Sequence, residues 1–428
     1  MSKCTRLKAY EVAPASAMAT VQIPLPLYSV LKDAKQGLLD LVVSTGLQVF
    51  HAMLEQDRER LCGPKWKHIP SRSAVRAGSA PGEVTLGGRR IVLQRPRVRC
   101  VRGRELGLPS FALAARRDPL DQRTLEAIAV GVSTRGYRRS LEALPEGMLE
   151  HSVSRSSVSR RFVALSAKRL CEWLSRPLQD LDVRIVQLDG IHFRDHVVVI
   201  ALGIDGKGEK HVLGLREGGT ENATVVRALL ADLVERGLSP DRPRLFVIDG
   251  AKGLRRALHE VFGKTAVVQR CQVHKRRNVL DHLPEPMRPS VLQAIRQAYD
   301  SEDVKLAQRQ LERLAHSLDR THPGAAASLR EGLEETLTLQ RLGIQGALYR
   351  TLRSTNPIEN LNSLVGRFSK NVKRWRDGAM IVRWIGAGIL DAKPMFRRIR
   401  GFRDLNTLFQ ALERHVEHET LDHEEQVA

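Results

Sequence analysis

The chain has 428 residues and carries 69 Lys and Arg against 48 Asp and Glu, a formal net charge of +21 at pH 7. Its length allows two or three domains, and its charge makes a polyanion, nucleic acid above all, the expected partner. No apolar run approaches the roughly 20 residues of a membrane span. The N-terminus lacks a secretory signal pattern, and five scattered cysteines without a CxxC argue against a disulfide framework, so a reduced cytoplasmic protein with no membrane partner is expected.

Residues 1–62 read as a helical region of unassigned role, with Leu38, Leu39, Val42, Val43, Leu47 and Val49 as its apolar face. Residues 63–118 form a basic segment, in which eleven Lys and Arg face one acid, Glu83, between Gly63 and Arg104. Here GEVTLGGRRIVLQRPRVR predicts a hairpin turning at Gly87-Gly88. Such a ribbon suits a phosphate backbone, or is a solvated edge whose arginines block aggregation.

Residues 119–180 predict two helices, one from about Pro119 to Leu144 and one in SVSRSSVSRRFVALSAKRLCEWL, separated at Pro145-Glu146-Gly147. Ser154 caps the second, which sets Val158, Phe162, Leu165 and Arg169 at helical spacing. This helix-turn-helix-like DNA-binding region would turn Arg155, Arg160 and Arg161 toward DNA. The plainer alternative is an amphipathic helix leading into the next domain.

From residue 181 to 283 the pattern changes. Strands are expected at VRIVQLDG, HVVVIALGID and KHVLGLREG. A helix in TENATVVRALLADLVERG follows, capped by Thr220, striped by Val225, Val226, Leu229, Leu230 and Leu233, and ended by Gly237. PRLFVIDG then feeds a helix in AKGLRRALHEVFG, and TAVVQRCQVH leads into a basic helix. The nearly continuous apolar run of HVVVIALGID predicts a strand covered on both faces. The order β-β-β-α-β-α-β is that of an α/β core of ribonuclease-H-like type. Residues 284–350 predict an all-helical insertion domain, with Val304, Ala307, Leu311, Leu314 and Leu318 as one apolar stripe. Residues 351–412 would complete the core, and residues 413–428 form an acidic tail.

Asp189 and Asp249 each follow an apolar strand and precede a glycine. Strand-end carboxylates on neighbouring strands can converge on hard divalent ions, although turn chemistry explains either one alone. In STNPIENLNSLVGRF, Asn356 is the expected N-cap, Pro357 the first helical residue and Glu359 the third, nearly opposite the stripe Ile358, Leu361, Leu364, Val365 and Phe368. Glu359 there serves a capping box as readily as a metal. Cys271 and His274 form a single CxxH with no second pair, so zinc is not expected. His274, Lys275, Arg276 and Arg277, with Arg367 farther on, are the basic residues expected to face DNA. GIDGKGEK and REGGTEN match no phosphate-cradling loop.

Taken together, LDGIHF, VVIALGIDGKGEKHVLGL, LVERGL, FVIDGAKGL, VVQRCQVHKRRNVL, STNPIENLNS and RWRDGAMIVRW, in that order between Val183 and Leu412, resemble the bacterial Mutator-type insertion-sequence transposases. The resemblance implies a DDE transposase with a ribonuclease-H-like catalytic core and a helical domain inserted before the glutamate. By motif position its triad is Asp189, Asp249 and Glu359, holding Mg2+, for which Mn2+ can substitute. A family Cys-x-x-His element falls on Cys271 and His274. The implied activity is 3′-end cleavage at transposon ends and strand transfer. The implied partners are double-stranded DNA, as terminal inverted repeats and target, and further copies of the chain in a homodimer or higher oligomer. Nucleoid association when bound to DNA follows. A ribonuclease-H-like nuclease or resolvase without strand transfer, and a catalytically silent DNA-binding regulator, are the rival readings. The first sixty or so residues match nothing in the family. The insertion has no tryptophan, Trp375 and Trp384 both following Glu359.

Overall fold

The computed structural model describes residues 46–67, 69–86, 89–116, 126–128, 132–141, 150–151, 154–193, 195–218, 223–370, 372 and 374–427. They divide into two compact units, the first comprising the described residues up to Thr85, Arg90–Arg116, and residues 141 and 150–151. Among the described residues, no helix is long and apolar enough to cross a membrane.

In the first unit a helix, α1, spans residues 46–62 and buries Leu47, Phe50 and Leu54 at helical spacing. Val49, expected on the apolar face, is 57% exposed, because it lies on the other side of the turn. Leu38, Leu39, Val42 and Val43 lie outside the described residues. Buried Asp57 accepts the backbone N–H of Ser110 at 2.7 Å, which satisfies a free donor in the first turn of α2 (Pro109–Arg116). The sheet holds β1 (Ala74–Leu86), β2 (Arg89–Cys100), β3 (Glu105–Leu106) and β4 (Glu150–His151), with β2 paired to the other three. The expected hairpin is thus β1 and β2, and its Gly87-Gly88 turn lies outside the described residues. Arg95 and Arg97 reach Glu105 at 2.9 and 2.7 Å, so part of this segment's basic charge is neutralised internally.

The second unit, which also takes in Leu86–Arg89 and the described residues between 117 and 140, contains α3 (Arg155–Leu174), capped by the Ser154 side chain as expected. About half of the preceding expected helix, Pro119 to Leu144, lies outside the described residues; of the rest, residues 126–128 are helical, whereas the chain turns at Gly136, whose N–H donates to Ser133 O, and Tyr137–Ser140 form a single 3-10 turn. The apolar face of α3 is occupied: Phe162 packs tilted against Trp384, ring centroids 4.8 Å apart, and Leu170 and Trp173 join a core with Ile381 and Ile385 of α14 (Gly378–Ala392). Both readings of this helix require its apolar face to be packed in this way.

The central sheet runs β7-β6-β5-β8-β9, comprising β5 (Val183–Phe193), β6 (His196–Asp205), β7 (Lys210–Gly218), β8 (Arg244–Ile248) and β9 (Ala266–Arg270). The first three pair antiparallel, while β5, β8 and β9 are parallel. One face is covered by α4 (Ala223–Glu235) and α5 (Lys252–Phe262), through Val226, Leu229, Leu230, Leu233, Leu254 and Leu258 against Val186, Leu188, Val199 and Ala201. The Thr220 expected to cap α4 lies outside the described residues. On the opposite face Val198, Ile200 and Leu202 meet Ile358, Leu361 and Val365 of α13 (Asn356–Ser369). HVVVIALGID is therefore buried on both sides, as its unbroken apolarity predicts.

After β9 comes α6 (Gln272–Asp281), then α7 (Arg288–Tyr299), α8 (Val304–Leu318), α9 (Pro323–Arg330), the short α10 (Leu333–Thr336) and α11 (Thr338–Arg341), and α12 (Gly346–Leu352). Ala307, Leu311 and Leu318 are buried in a helical core with Val279, Ile295 and Leu329, and Val304 and Leu314 are packed against it. From Leu339 onward the chain leaves that core. Leu339, Ile344, Leu348 and Leu352 pack on Leu245, Val247 and Val267, so these residues cover the sheet. The helix α15 (Leu405–Val427) continues through the acidic tail.

Candidate active site

Three parallel strands end side by side and deliver polar residues to one end of the sheet. Asp189 was expected just after its strand but lies inside β5, paired with Ile200, because β5 runs on to Phe193 as a ribbon with β6. Asp249 follows β8 directly, and its Oδ1 accepts the N–H of Ala251 at 2.9 Å. Gln187 pairs with Val247, and carrying that parallel register two residues on sets Asp189 level with Asp249. Cys271 follows β9, donates its N–H to Ile248 O at 2.7 Å and caps α6. The strand predicted to run through His274 thus stops at Arg270, and His274 stands on the first turn of a helix.

Glu359 comes from α13, whose N-cap is Thr355 rather than Asn356, one residue earlier than expected. Fully buried Thr355 makes this boundary. Its N–H meets Cys271 Sγ at 3.4 Å, and its hydroxyl lies 2.8 Å from Glu359 Oε1, 3.4 Å from Cys271 Sγ and 3.4 Å from His274 Nδ1. A hydroxyl has one proton, and the short contact to Glu359 is where it is best placed. Glu359 therefore folds back onto its cap residue's side chain.

Two further residues, Gln187 and Asn362, hold the site together. Gln187 is fully buried; its Oε1 accepts the Ile358 N–H at 3.1 Å and its Nε2 donates to Ser354 O at 3.3 Å. Asn362 donates from Nδ2 to Asp189 Oδ2 at 2.7 Å, while its buried Oδ1 finds no partner among the described residues. An uncharged polar residue between Val186 and Leu188, and an asparagine three residues after Glu359 on the same helix face, were the available clues.

The charges are mutually felt. Burial, then the neighbouring charge of Asp249, pushes the Asp189 carboxyl up to about 6, with Glu359 acting the same way and His274 opposing. The contact with Cys271 raises His274 to about 9 against the effect of burial, with Glu359 and Asp249 adding to it. Burial raises the Cys271 thiol, but its bonds with His274 and Thr355 outweigh that and leave it below the ordinary value. Cys271, His274 and Glu359 bring their donor atoms within 4.8 Å of one another.

The basic residues do not form one surface. Lys275, expected to face DNA, is fully buried, and its ammonium donates to the carbonyls of Ser328 and Glu331; the helical layer of α9 covers that side of α6. Arg276 is half-buried beside Arg296 and Arg353, and burial holds its pKa below the usual range. Arg277, Arg155, Arg160 and Arg367 are exposed, and Arg161 is half-buried.

The sequence profile of the Mutator family of transposases matches residues 24–398, and so reaches into the first sixty or so residues, where no match was expected. The chain is 32% identical over 205 residues to the transposase for insertion sequence element IS6120 of Mycolicibacterium smegmatis, covering 46% of this chain and 62% of that one. It is 32% identical over 249 residues to the transposase for ISRM5 of Rhizobium meliloti, covering 56% and 60% respectively. Against the transposase for IS256 in transposon Tn4001 of Staphylococcus aureus, identity is 27% over 380 residues, covering 85% and 91%. The chain thus spans about three fifths of the length of the first two relatives.

Proposed function

The chain belongs to the Mutator family of transposases, and from that premise we propose that it is a DNA transposase of the DDE type, with Asp189, Asp249 and Glu359 as its catalytic carboxylates on a core of ribonuclease-H-like type. The observation that carries this reading is the convergence of those three acids at one end of the β5-β8-β9 strands, where Asp249 and Glu359 both act on Asp189. The sheet order β7-β6-β5-β8-β9, with three antiparallel strands followed by two parallel ones, supports the same fold type.

The donor set suits Mg2+, with Mn2+ as a substitute: hard oxygen ligands, one of them half-buried and raised in pKa, beside the unpartnered Oδ1 of Asn362, an acceptor for an ion's water. Held by Asp189, Asp249 and Glu359, such ions would supply Lewis-acid stabilisation of the entering and leaving oxygens of an in-line displacement at phosphorus. The chain's own residues fix where that happens. Asn362 sets the Asp189 carboxylate, the Ala251 N–H sets Asp249, and Thr355 sets Glu359. His274, its pKa raised chiefly by the contact with Cys271, stands with Nε2 3.7 Å from Glu359.

The proposed reaction has two steps. Water displaces the 3′ oxygen at the transposon end, and the freed 3′-hydroxyl displaces a 3′ oxygen in target DNA. Each step exchanges one P–O bond for another, so one site serves both. Two ends must be handled together, which calls for at least a dimer on DNA.

The test is to incubate the full chain with DNA carrying the sequences that flank its gene, plus Mg2+, and to map nicks and joints. Strand-specific nicks and end-to-target joints, both absent in Asp249→Asn, are expected. Nicks without joints point to the nuclease or resolvase; neither, with DNA still bound, points to the silent regulator.

A further inference from the structure

The same end of the sheet holds a second donor set of different chemistry. Cys271, His274 and Glu359 offer sulfur, nitrogen and oxygen within 4.8 Å of one another. Tetrahedral zinc, with bonds of about 2.3 Å to sulfur and about 2.0–2.2 Å to nitrogen and oxygen, needs donors roughly 3.4–3.6 Å apart. His274 Nε2 and Glu359 Oε1 are 3.7 Å apart, too long for a hydrogen bond and close to the separation of two ligands on one ion.

The surroundings fit as well. Cys271 Sγ receives the backbone N–H groups of His274 at 3.5 Å and Thr355 at 3.4 Å, the kind of outer support that steadies a metal-bound thiolate. Cys271 and His274 are three residues apart on one helix face. Thr355 takes one lone pair of Glu359, and a carboxylate has about four. Cys271 is fully buried, whereas the Glu359 side chain is 37% exposed, so an ion can enter from the Glu359 side. The CxxH alone lacks a third ligand, and the fold supplies it from α13.

We infer that Cys271, His274 and Glu359 form a site for a soft or borderline divalent ion, zinc foremost, that shares Glu359 with the carboxylate site. Thiolate and imidazole select zinc or cobalt over magnesium, and three carboxylates select the reverse. Glu359 cannot fully serve both. Zinc bound here withdraws it from the hard-ion set and inhibits cleavage. This sharing, though not the soft-ion site itself, rests on the catalytic assignment of Glu359.

The experiment titrates Co2+ into the full chain after chelator treatment and follows absorbance. A near-ultraviolet thiolate-to-cobalt band saturating at one ion per chain is expected, lost in Cys271→Ser and weakened at least about tenfold in affinity in Glu359→Gln. Excess Mg2+ should raise the apparent Kd for cobalt in the wild type and leave Glu359→Gln unmoved. No band, or a band that survives in Cys271→Ser, overturns the site. Should Cys271→Ser not fold, as judged by circular dichroism, unchanged cobalt affinity in Glu359→Gln overturns it instead. Indifference to Mg2+ overturns the sharing. A chain that binds cobalt in this way yet never nicks DNA would count against the proposed function and leave the soft-ion site standing.

Discussion

Asn362 donates to Asp189 at 2.7 Å, and one helical turn earlier Ile358 donates to Gln187, two residues before Asp189 on the same face of β5. Two strand residues advance about 6.6 Å and four helical residues about 6 Å, so α13 and β5 stay in step over this stretch. The match aims Asp189. Asn362→Ala is expected to keep the fold and lower Mg2+-dependent nicking by about 10–100-fold, the usual effect of losing an outer partner of a ligand. Asn362→Asp, which adds a like charge, should do worse. Nicking rates beside thermal melts check this, and wild-type cleavage by Asn362→Ala would remove Asn362 from the site.

Asp189 makes the metal-free protein sensitive to pH in a definite direction. Its folded pKa is about 6, raised by burial and by Asp249, whereas an unfolded aspartate titrates near 3.9. Folding therefore favours the protonated form: the penalty is absent below about pH 4, grows toward pH 6 and is complete above it. Two pKa units correspond to an upper bound of about 3 kcal/mol. Asp189→Asn should accordingly be more stable than wild type without metal, by an amount that grows from pH 4 to 7, while cleavage is lost. Urea unfolding across that range is the measurement. An advantage that does not change with pH would mean that Asp189 titrates normally.

Gln187 links the two layers that carry the acids. Replacing it with Leu leaves the Ser354 carbonyl without its partner beside fully buried Gln187, while the Ile358 N–H keeps its bond to the Thr355 carbonyl at 3.0 Å. An orphaned buried group costs about 1–3 kcal/mol, so Gln187→Leu should lose roughly that much and lower cleavage further than its stability loss explains. Denaturation midpoints, with nicking measured well below the transition, separate the two effects. A loss under about 1 kcal/mol would show that the helix N-terminus is held by other contacts.

What the sequence made legible, and what it did not, divides along physical lines. Asp189 and Asp249 stood out because an acid ending an apolar strand is visible locally, although the extension of β5 past Asp189 depends on pairing with β6 and is not. Both faces of HVVVIALGID were readable from its composition alone. The cap of α13 was misread by one residue because Asn356 has the better intrinsic preference, while Thr355 is held by Cys271 from another element. Gln187 and Asn362 act through partners far away in the chain, which local spacing does not encode.

The run His274-Lys275-Arg276-Arg277 shows the same limit and allows a direct test. Sequence gave its three basic neighbours one role, but a helix turns each by about 100°, and here a second helical layer covers one side. Lys275 is buried, its pKa lowered to about 8 by burial and its ammonium bonded to the Ser328 and Glu331 carbonyls, whereas Arg277 is exposed. If Arg277 meets a phosphate, Arg277→Ala should reduce the slope of log K against log salt for DNA binding by about one, with little change in stability. Lys275→Met should do the opposite. It removes the ammonium from the Ser328 carbonyl, while Arg270 still donates to the Glu331 carbonyl, so it should destabilise by about 1–3 kcal/mol and leave the salt slope unchanged. Fluorescence titrations at several salt concentrations, with melts of both variants, measure the pair. A fall in slope for Lys275→Met would mean that α6 presents a different face to DNA.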